Sequence, residues 1–244
     1  KGVDGALNAT CGEGGTAIAP PPRMTTSTRE IETCLPSQDA ARAPGLLARG
    51  LFFAMDAVYG RDPSLEKFAA LELVARVPYQ AWENVAYVAL THLQRRPGFM
   101  RRVFEFVVEA RSAQDNEQWH LVIVEELVER RGGARSWWKA RAIPQLLALF
   151  YYHVSWLLYV VVPSLSYALN ADFEDHAERS YLAFVASHPE LDEEPWVTEI
   201  GEGYAALPTV GALLRRIAAD EREHRDHSLA RLERPRFSEV STAH

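Results

Sequence analysis

Cysteine and positive charge are both in short supply in this chain of 244 residues. The two cysteines, Cys11 and Cys34, lie near the N-terminus. We therefore expect neither a disulfide framework nor a thiolate metal cluster. The formal net charge of −7 argues against the clustered Lys and Arg that a phosphate-binding surface needs, so nucleic acid is not an expected partner.

Apolar periodicity is missing from the first 45 residues, which are rich in Gly, Ala, Thr, Ser and Pro. A segment of that composition does not bury enough surface to order itself. We interpret 1–45 as a disordered N-terminal tail or the remnant of a transit segment. With 48% hydrophobic and 24% charged positions, the rest fits one domain over 46–233, followed by a C-terminal tail over 234–244.

The alternation typical of β-strands is rare after Pro44, where apolar residues recur at helical spacing. The sequence therefore predicts an all-α domain. Pro78 should bend its helix, and Gly132 and Gly133 should end the third one. The predicted helical segments are 46–59, 64–94, 97–131, 172–186 and 208–233.

The segment 142–169 has no Asp, Glu, Lys or Arg and is 28 residues long. By hydropathy and length alone it could cross a bilayer. Interruptions at Pro144, Pro163, Ser164 and Ser166 argue against one continuous span.

Two Glu-x-x-His motifs carry the strongest chemical signal. They are Glu117 with His120 and Glu221 with His224. A spacing of three residues places both side chains of a motif on one helix face, where one metal ion can contact both. The motif is short, and with 8 histidines about one such motif is expected by chance.

The order of the acidic residues along the chain strengthens the prediction of a metal site from the two motifs. A di-iron carboxylate bundle uses one Glu from each of two helices and Glu-x-x-His from each of the other two. This chain supplies them in steps of 45, 57 and 47 residues, each long enough for a helix and its return. The predicted ligands of two iron ions are Glu72, Glu117, His120, Glu174, Glu221 and His224.

Each carboxylate also has a simpler interpretation. Glu72 could form a structural ion pair with Arg76, four residues later. Glu174 has acidic neighbours and could belong to a solvated face, and Glu221 could belong to a charged surface. These alternatives stay open from the residues alone.

Four segments resemble the motifs of the alternative oxidase superfamily, and its plastid terminal oxidase branch in particular. Segment 71–79 resembles Leu-Glu-Thr-x-Ala-Arg-Val-Pro-Tyr, and 116–121 resembles Asn-Glu-x-x-His-Leu. Segments 173–181 and 219–224 are similar to the third and fourth motifs in their plastid spelling, with His176 and Glu223 as the distinguishing residues. The resemblance covers about 46–230.

The resemblance implies a ferritin-like four-helix bundle with two additional amphipathic membrane-surface helices, over 46–59 and 146–162. Such a monotopic protein lies on one leaflet, so membrane lipid is an expected partner. The implied activity is that of a di-iron quinol:oxygen oxidoreductase, which reduces O2 to water with two quinols. Plastoquinol is the favoured quinol and the chloroplast thylakoid the favoured location. A cyanobacterial membrane is the alternative location, and a homodimer is also compatible.

The resemblance also implies roles around the metals. Tyr181 matches a redox-active tyrosine, and Asn116 and Asp220 match groups that hydrogen-bond the ligating histidines. The residues that match the quinone pocket are Lys67, Leu71 and Ser180.

The sequence departs from the family pattern at four places. Lys67 replaces an Arg, Leu73 replaces a Thr, and the turn at 163–165 lacks its usual Arg. The connection 188–208 lacks a Tyr-Tyr pair and offers only Trp196 and Tyr204. These departures bear on the quinone pocket and the electron path.

Two other functions are compatible with the residues. One is a soluble ferritin-like di-iron oxygenase. The other is a non-enzymatic helical protein of the membrane surface, whose acidic residues are solvated and bind no iron.

Overall fold

Helices account for nearly all regular structure in the computed structural model, which describes residues 42–93, 96–132, 136–198, 203–234 and 236–237. Within these ranges there is no strand, only an isolated bridge between Pro195 and Thr209. The helices are α1 Leu46–Tyr59, α2 Leu65–Ala75, α3 Val77–Leu93, α4 Pro97–Arg130, α5 Ile143–Val161, α6 Pro163–Ser187 and α7 Val210–Ala230. The all-α prediction is confirmed.

Two prolines set helix boundaries. The predicted helix 64–94 is divided at Arg76 into α2 and α3, because Pro78 lacks the N–H that would continue the hydrogen-bond ladder. The apolar segment 142–169 is divided at Val162, where α5 ends and Pro163 begins α6. Helix α6 therefore starts nine residues earlier than the predicted polar helix 172–186, since its first two turns are apolar.

The bundle consists of α2 with its continuation α3, then α4, α6 and α7. Helix α6 packs against α7, α4 packs against both α2 and α3, and α5 lies against α3 and α6. Thr209 is the N-cap of α7, and its side chain accepts a hydrogen bond from the Ala212 N–H at 3.1 Å. This N-cap fixes the start of the helix that carries the second Glu-x-x-His motif.

Helices α1 and α5 leave large apolar side chains in solvent. On α1 these include Leu46 and Phe53, and on α5 Leu149 and Leu157. A short π-helical segment, Trp138–Ala142, leads into α5. Together, Trp138–Val161 is long and apolar enough to cross a membrane by length and composition, and only 22% of its most apolar window is buried.

The predicted tails lie almost entirely outside the described residues. Of 1–45 only 42–45 are described, and of 234–244 only 234 and 236–237. The domain boundaries therefore stay predictions.

Candidate metal centre

Six acidic and imidazole side chains from four helices meet in the middle of the bundle. Each is at most 1% exposed. They form two groups whose ligand atoms lie within 4.8 Å of one another. The first group is Glu72, Glu117, His120 and Glu221, and the second is Glu117, Glu174, Glu221 and His224. Glu117 and Glu221 belong to both.

Helical periodicity explains why these polar residues point inward. On α4 the buried row runs through Ala113, Glu117, His120 and Val124, at alternating steps of four and three residues. The carboxylate and the imidazole therefore occupy positions that would otherwise be filled by apolar core residues.

The histidines contact the cluster through Nδ1. His120 Nδ1 lies 2.9 Å from Glu221 Oε1 and 3.5 Å from both Glu72 Oε2 and Glu117 Oε2. His224 Nδ1 lies 2.5 Å from Glu117 Oε1. Each imidazole thus presents the same nitrogen to the shared carboxylates.

Unpartnered buried atoms test whether the cluster suits a metal. Apart from their contacts within the cluster, both oxygens of Glu117 and of Glu221 lack a hydrogen-bond partner, as does Nδ1 of each histidine. Glu72 and Glu174 each leave only Oε2 unpartnered. Because buried carboxylates are costly unless they are paired or coordinate a metal, this set of oxygen and nitrogen donors fits a cation site. The buried Glu and His groups therefore fit a metal centre.

Two tyrosines hold the remaining oxygens of the unshared carboxylates. The Tyr181 hydroxyl donates to Glu72 Oε1, and the Tyr79 hydroxyl donates to Glu174 Oε1 at 2.9 Å. Asn170 Nδ2 also donates to Glu174 Oε1 at 3.0 Å. The carboxylates therefore divide into two with one oxygen fixed by a tyrosine and two whose oxygens have no partner outside the cluster.

Neither tyrosine contacts the glutamate that lies seven residues before it in the chain. Tyr181 follows Glu174 by seven residues on α6, yet it contacts Glu72 on α2. Tyr79 follows Glu72 by seven residues, yet it contacts Glu174. Tyr79 and Asn170 were not among the predicted site residues. The shared seven-residue offset was a signal that could have identified Tyr79.

Tyr204 is a further residue that the sequence reasoning missed. Its hydroxyl lies 2.9 Å from His120 Nε2 and donates to Asp220 Oδ2 at 2.8 Å. Asn116 Nδ2 donates to the Tyr204 hydroxyl at 2.7 Å. Asp220 lies 3.4 Å from His120 Nε2, so Asn116 reaches the histidine only through Tyr204. In the sequence, Tyr204 lies in the connection 188–208, which lacks the Tyr-Tyr pair of the family pattern.

Burial and mutual charge separate the pKa values of the carboxyls. Burial raises the pKa of Glu72 to about 7. Burial, together with the Glu117 charge, also raises the pKa of Glu174 and of Glu221. Burial acts in the same direction on Glu117, but the two histidines outweigh it and lower the pKa of that carboxyl.

The histidines respond to the same charges in the opposite sense. Burial alone would lower the pKa of both, yet both are raised. Tyr204 and Asp220 are the leading opposing influences on His120, and Glu117 is the leading one on His224. Without a metal, the cluster is therefore balanced by protons.

Two of the simpler interpretations disagree with the geometry. Arg76 Nη1 donates to Gln118 Oε1 at 2.8 Å instead of pairing with Glu72. Glu174 is fully buried, while its neighbour Asp175 pairs with Arg179 and Arg225. Glu174, not Asp175, faces the cluster.

The residues predicted for a quinone pocket lie on α2 and α6. Lys67 Nζ contacts Asp56 Oδ1 at 2.6 Å and the Gly60 carbonyl at 3.0 Å, near the end of α1. Leu71 is buried, and the Ser180 hydroxyl donates to the His176 carbonyl at 2.7 Å. All three lie outside an apolar cavity of about 300 Å³ between α1 and α5.

Fold and site together define a helical bundle with a buried, carboxylate-rich cluster that fits a metal centre. The family model of the alternative oxidases matches residues 42–231, and the chain belongs to this family. A relative in Arabidopsis thaliana, ubiquinol oxidase 4 (chloroplastic/chromoplastic), is 35% identical over 142 residues. The matched region covers 58% of this chain but 37% of that relative. This similarity supports the plastid branch.

Substituting Tyr204→Phe should weaken metal binding about 10- to 100-fold, because it removes the hydroxyl that orients His120. The measurement is the Fe(II) dissociation constant of the purified protein. Tyr87→Phe is the control, since the Tyr87 hydroxyl accepts a hydrogen bond from Arg111 at an exposed position on α3. Equal affinity in wild type and Tyr204→Phe would contradict the prediction.

The metal-free protein should lose stability as pH rises from about 5 to about 7. In this interval folded Glu72, with its pKa near 7, keeps a proton that the unfolded chain, with a pKa near 4.5, has released. Glu72 then lowers the free energy of unfolding by up to ~1.4 kcal/mol per pH unit.

The measurement is urea unfolding in chelator at several pH values. Glu72→Gln stays neutral throughout, so the stability of wild type minus that of Glu72→Gln should fall across the interval. Glu223→Gln, at a half-buried position outside the two ligand groups, should show no such trend. A pH-independent difference for Glu72→Gln would refute the assignment.

Proposed function

We propose that this protein is a quinol oxidase that reduces O2 to water at a di-iron carboxylate centre, with plastoquinol as the favoured reductant. The observation that carries the proposal is the pair of ligand groups sharing Glu117 and Glu221 in a chain of the alternative oxidase family. The name of the Arabidopsis relative, a ubiquinol oxidase of chloroplasts and chromoplasts, supports the same activity.

The donor atoms suggest how two iron ions would be held. Glu117 and Glu221 belong to both ligand groups and have no hydrogen-bond partner outside the cluster, so both would help to hold the two ions. Glu72 with His120 would complete one ion's ligands, and Glu174 with His224 those of the other. When bound, the iron ions would supply coordination positions and electrons for reducing one O2 to two waters at the expense of two quinols.

Tyr181 is suited to a redox role beside this centre. Its ring is fully buried and stacks on Phe68 with centroids 4.1 Å apart. Burial and the Glu72 charge raise its pKa well above the ordinary value, so the phenol stays protonated. Its O–H points at Glu72, and a proton leaving the phenol on oxidation would have an acceptor at hand.

The quinol is proposed to enter from the apolar face formed by α1 and α5. The cavity of about 300 Å³ between these helices is lined by Leu51, Tyr151 and Leu169 among others. These residues share a hydrophobic cluster with Leu71, which directly precedes Glu72. The cavity would hold the apolar part of the quinol, with Lys67 and Ser180 beside its headgroup.

The same face supports a monotopic position on one leaflet. Helix α5 lies between α4 and α6 in the chain, and the carboxylates of α4 and α6 meet at the centre. If α5 crossed the bilayer, the end of α4 and the start of α6 would lie on opposite sides of the membrane, and their carboxylates could not meet. We therefore propose that α1 and α5 lie along the lipid surface. The chloroplast thylakoid is the favoured membrane, a cyanobacterial membrane is the alternative, and a homodimer is compatible.

Protein loaded anaerobically with Fe(II) should bind about two irons per chain and consume O2 when given a plastoquinol analogue, even with cyanide present. Glu174→Ala and Glu221→Ala should each lose iron and at least ~99% of the oxygen uptake, since a ligand is removed. Glu223→Ala, at a half-buried position of α7 outside the two ligand groups, is the control and should keep both. Full oxygen uptake by Glu174→Ala would contradict the assignment of Glu174 as a metal ligand.

The membrane position predicts that Leu149→Glu combined with Leu157→Glu weakens binding to lipid vesicles at least ~10-fold, because two exposed apolar side chains of α5 become charged. Sedimentation with vesicles measures the bound fraction. Val88→Glu with Phe104→Glu is the matched control, since these side chains are similarly exposed on α3 and α4. A soluble oxygenase would bind vesicles weakly before any substitution, contrary to the proposal.

A further inference from the structure

A second, much smaller cavity reaches the metal centre between α3, α4 and α7. Its volume is about 20 Å³, and its lining includes Tyr79, Ala113, His224 and Ser228. At its outer end lie Glu109 and His227, whose side chains are 41% and 50% exposed. Apart from Arg231, which directly follows α7, its lining residues belong to α3, α4 and α7, so it is separate from the apolar face of α1 and α5.

The two histidines of the centre differ on the side that faces away from the carboxylates. His120 Nε2 lies 2.9 Å from the Tyr204 hydroxyl. His224 Nε2 has no hydrogen-bond partner among the described residues, although the side chain is only 1% exposed. An imidazole whose Nδ1 binds a metal carries its proton on Nε2, and a buried N–H donor normally has an acceptor.

The cavity can supply that acceptor. A volume of about 20 Å³ exceeds the roughly 10–15 Å³ that one water molecule needs. Ser228 Oγ, which also lines the cavity, accepts a hydrogen bond from Asn170 Nδ2 at 3.1 Å, so its own hydrogen remains available. A water between His224 and Ser228 would then have polar groups on both sides.

We propose that this cavity is a water site that accepts a hydrogen bond from His224 Nε2 and connects the metal centre to solvent at the α4–α7 surface. The inference rests on the proposed role of His224 as a ligand through Nδ1. It assigns water and quinol to different routes. Each O2 reduced with two quinols yields two waters, and an apolar lipid face would hinder their release.

An ion pair bounds the outer end of this route. Arg231 donates to the Glu109 carboxylate, and its guanidinium lies over the Phe106 ring, 4.7 Å from the centroid. Both Arg231 and Phe106 line the cavity. This ion pair would therefore limit the opening of the proposed water site to solvent.

The test follows exchange of the two imidazole Nε2 protons with solvent by NMR. The sample is the whole chain, ¹⁵N-labelled at histidine and loaded with zinc, which is diamagnetic and binds the same donor types. In wild type, the His224 proton should exchange at least about 10-fold faster than the His120 proton, because a solvent-connected water contacts it.

Filling the cavity with Ala113→Leu should slow exchange at His224 at least about 10-fold and leave His120 unchanged. Ala89→Leu is the matched control, since both alanines are 8% exposed in the same hydrophobic cluster and Ala89 does not line the cavity. Should Ala113→Leu fail to fold, Ala110→Val narrows the same cavity with less added volume.

Equal exchange at the two histidines in wild type, or unchanged His224 exchange in the filled variants, would overturn the proposal. A crystal structure gives a second measurement: an ordered water within hydrogen-bond distance of His224 Nε2 is expected, and a dry cavity would also overturn it. Neither measurement uses quinol or O2. A failure of the quinol oxidase assignment would therefore appear in oxygen uptake while these results stood.

Discussion

The burial of four carboxylates within reach of one another is the constraint on which the rest of this structure depends. Carboxylates that are removed from water repel each other, and two imidazoles do not offset four negative charges. The metal-free cluster responds by retaining protons, as the raised pKa values of Glu72, Glu174 and Glu221 show. A divalent cation in each ligand group would replace those protons with fixed positive charge. The bundle core is therefore built around a charge balance and not only around apolar packing.

The tyrosines show how the bundle fixes the direction of each carboxylate. Tyr181 reaches from α6 to Glu72 on α2, and Tyr79 reaches from α3 to Glu174 on α6. Each contact joins two different helices of the bundle, so the orientation of an unshared carboxylate depends on correct packing of its neighbour. The shared carboxylates, Glu117 and Glu221, have no such restraint on either oxygen. This difference matches their membership of one ligand group or of both.

The surroundings of the centre are polarised between lipid and water. On one side, α1 and α5 expose Leu46, Phe53, Leu149 and Leu157 and enclose an apolar cavity. On the other, a cavity of about 20 Å³, the proposed water site, is lined by Glu109 and His227. A reaction that joins a lipid-soluble reductant to the formation of water needs both kinds of access. The two histidines differ accordingly, because His120 is held by protein groups around Tyr204, whereas His224 faces the proposed water site.

The sequence by itself determined the helical class, a bend at Pro78, an interruption at Pro163 and the two Glu-x-x-His motifs, because these depend on local spacing and backbone chemistry. The order of the motifs also predicted which six side chains would meet. Only the tertiary structure decided that Tyr181 contacts Glu72 instead of its own helix neighbour Glu174, and that Tyr79, Asn170 and Tyr204 belong to the site. It also decided that Arg76 pairs with Gln118 and not with Glu72. The physical reason is that these contacts join residues far apart in the chain, and helical periodicity specifies the face on which a side chain lies but not the neighbouring helix that it meets.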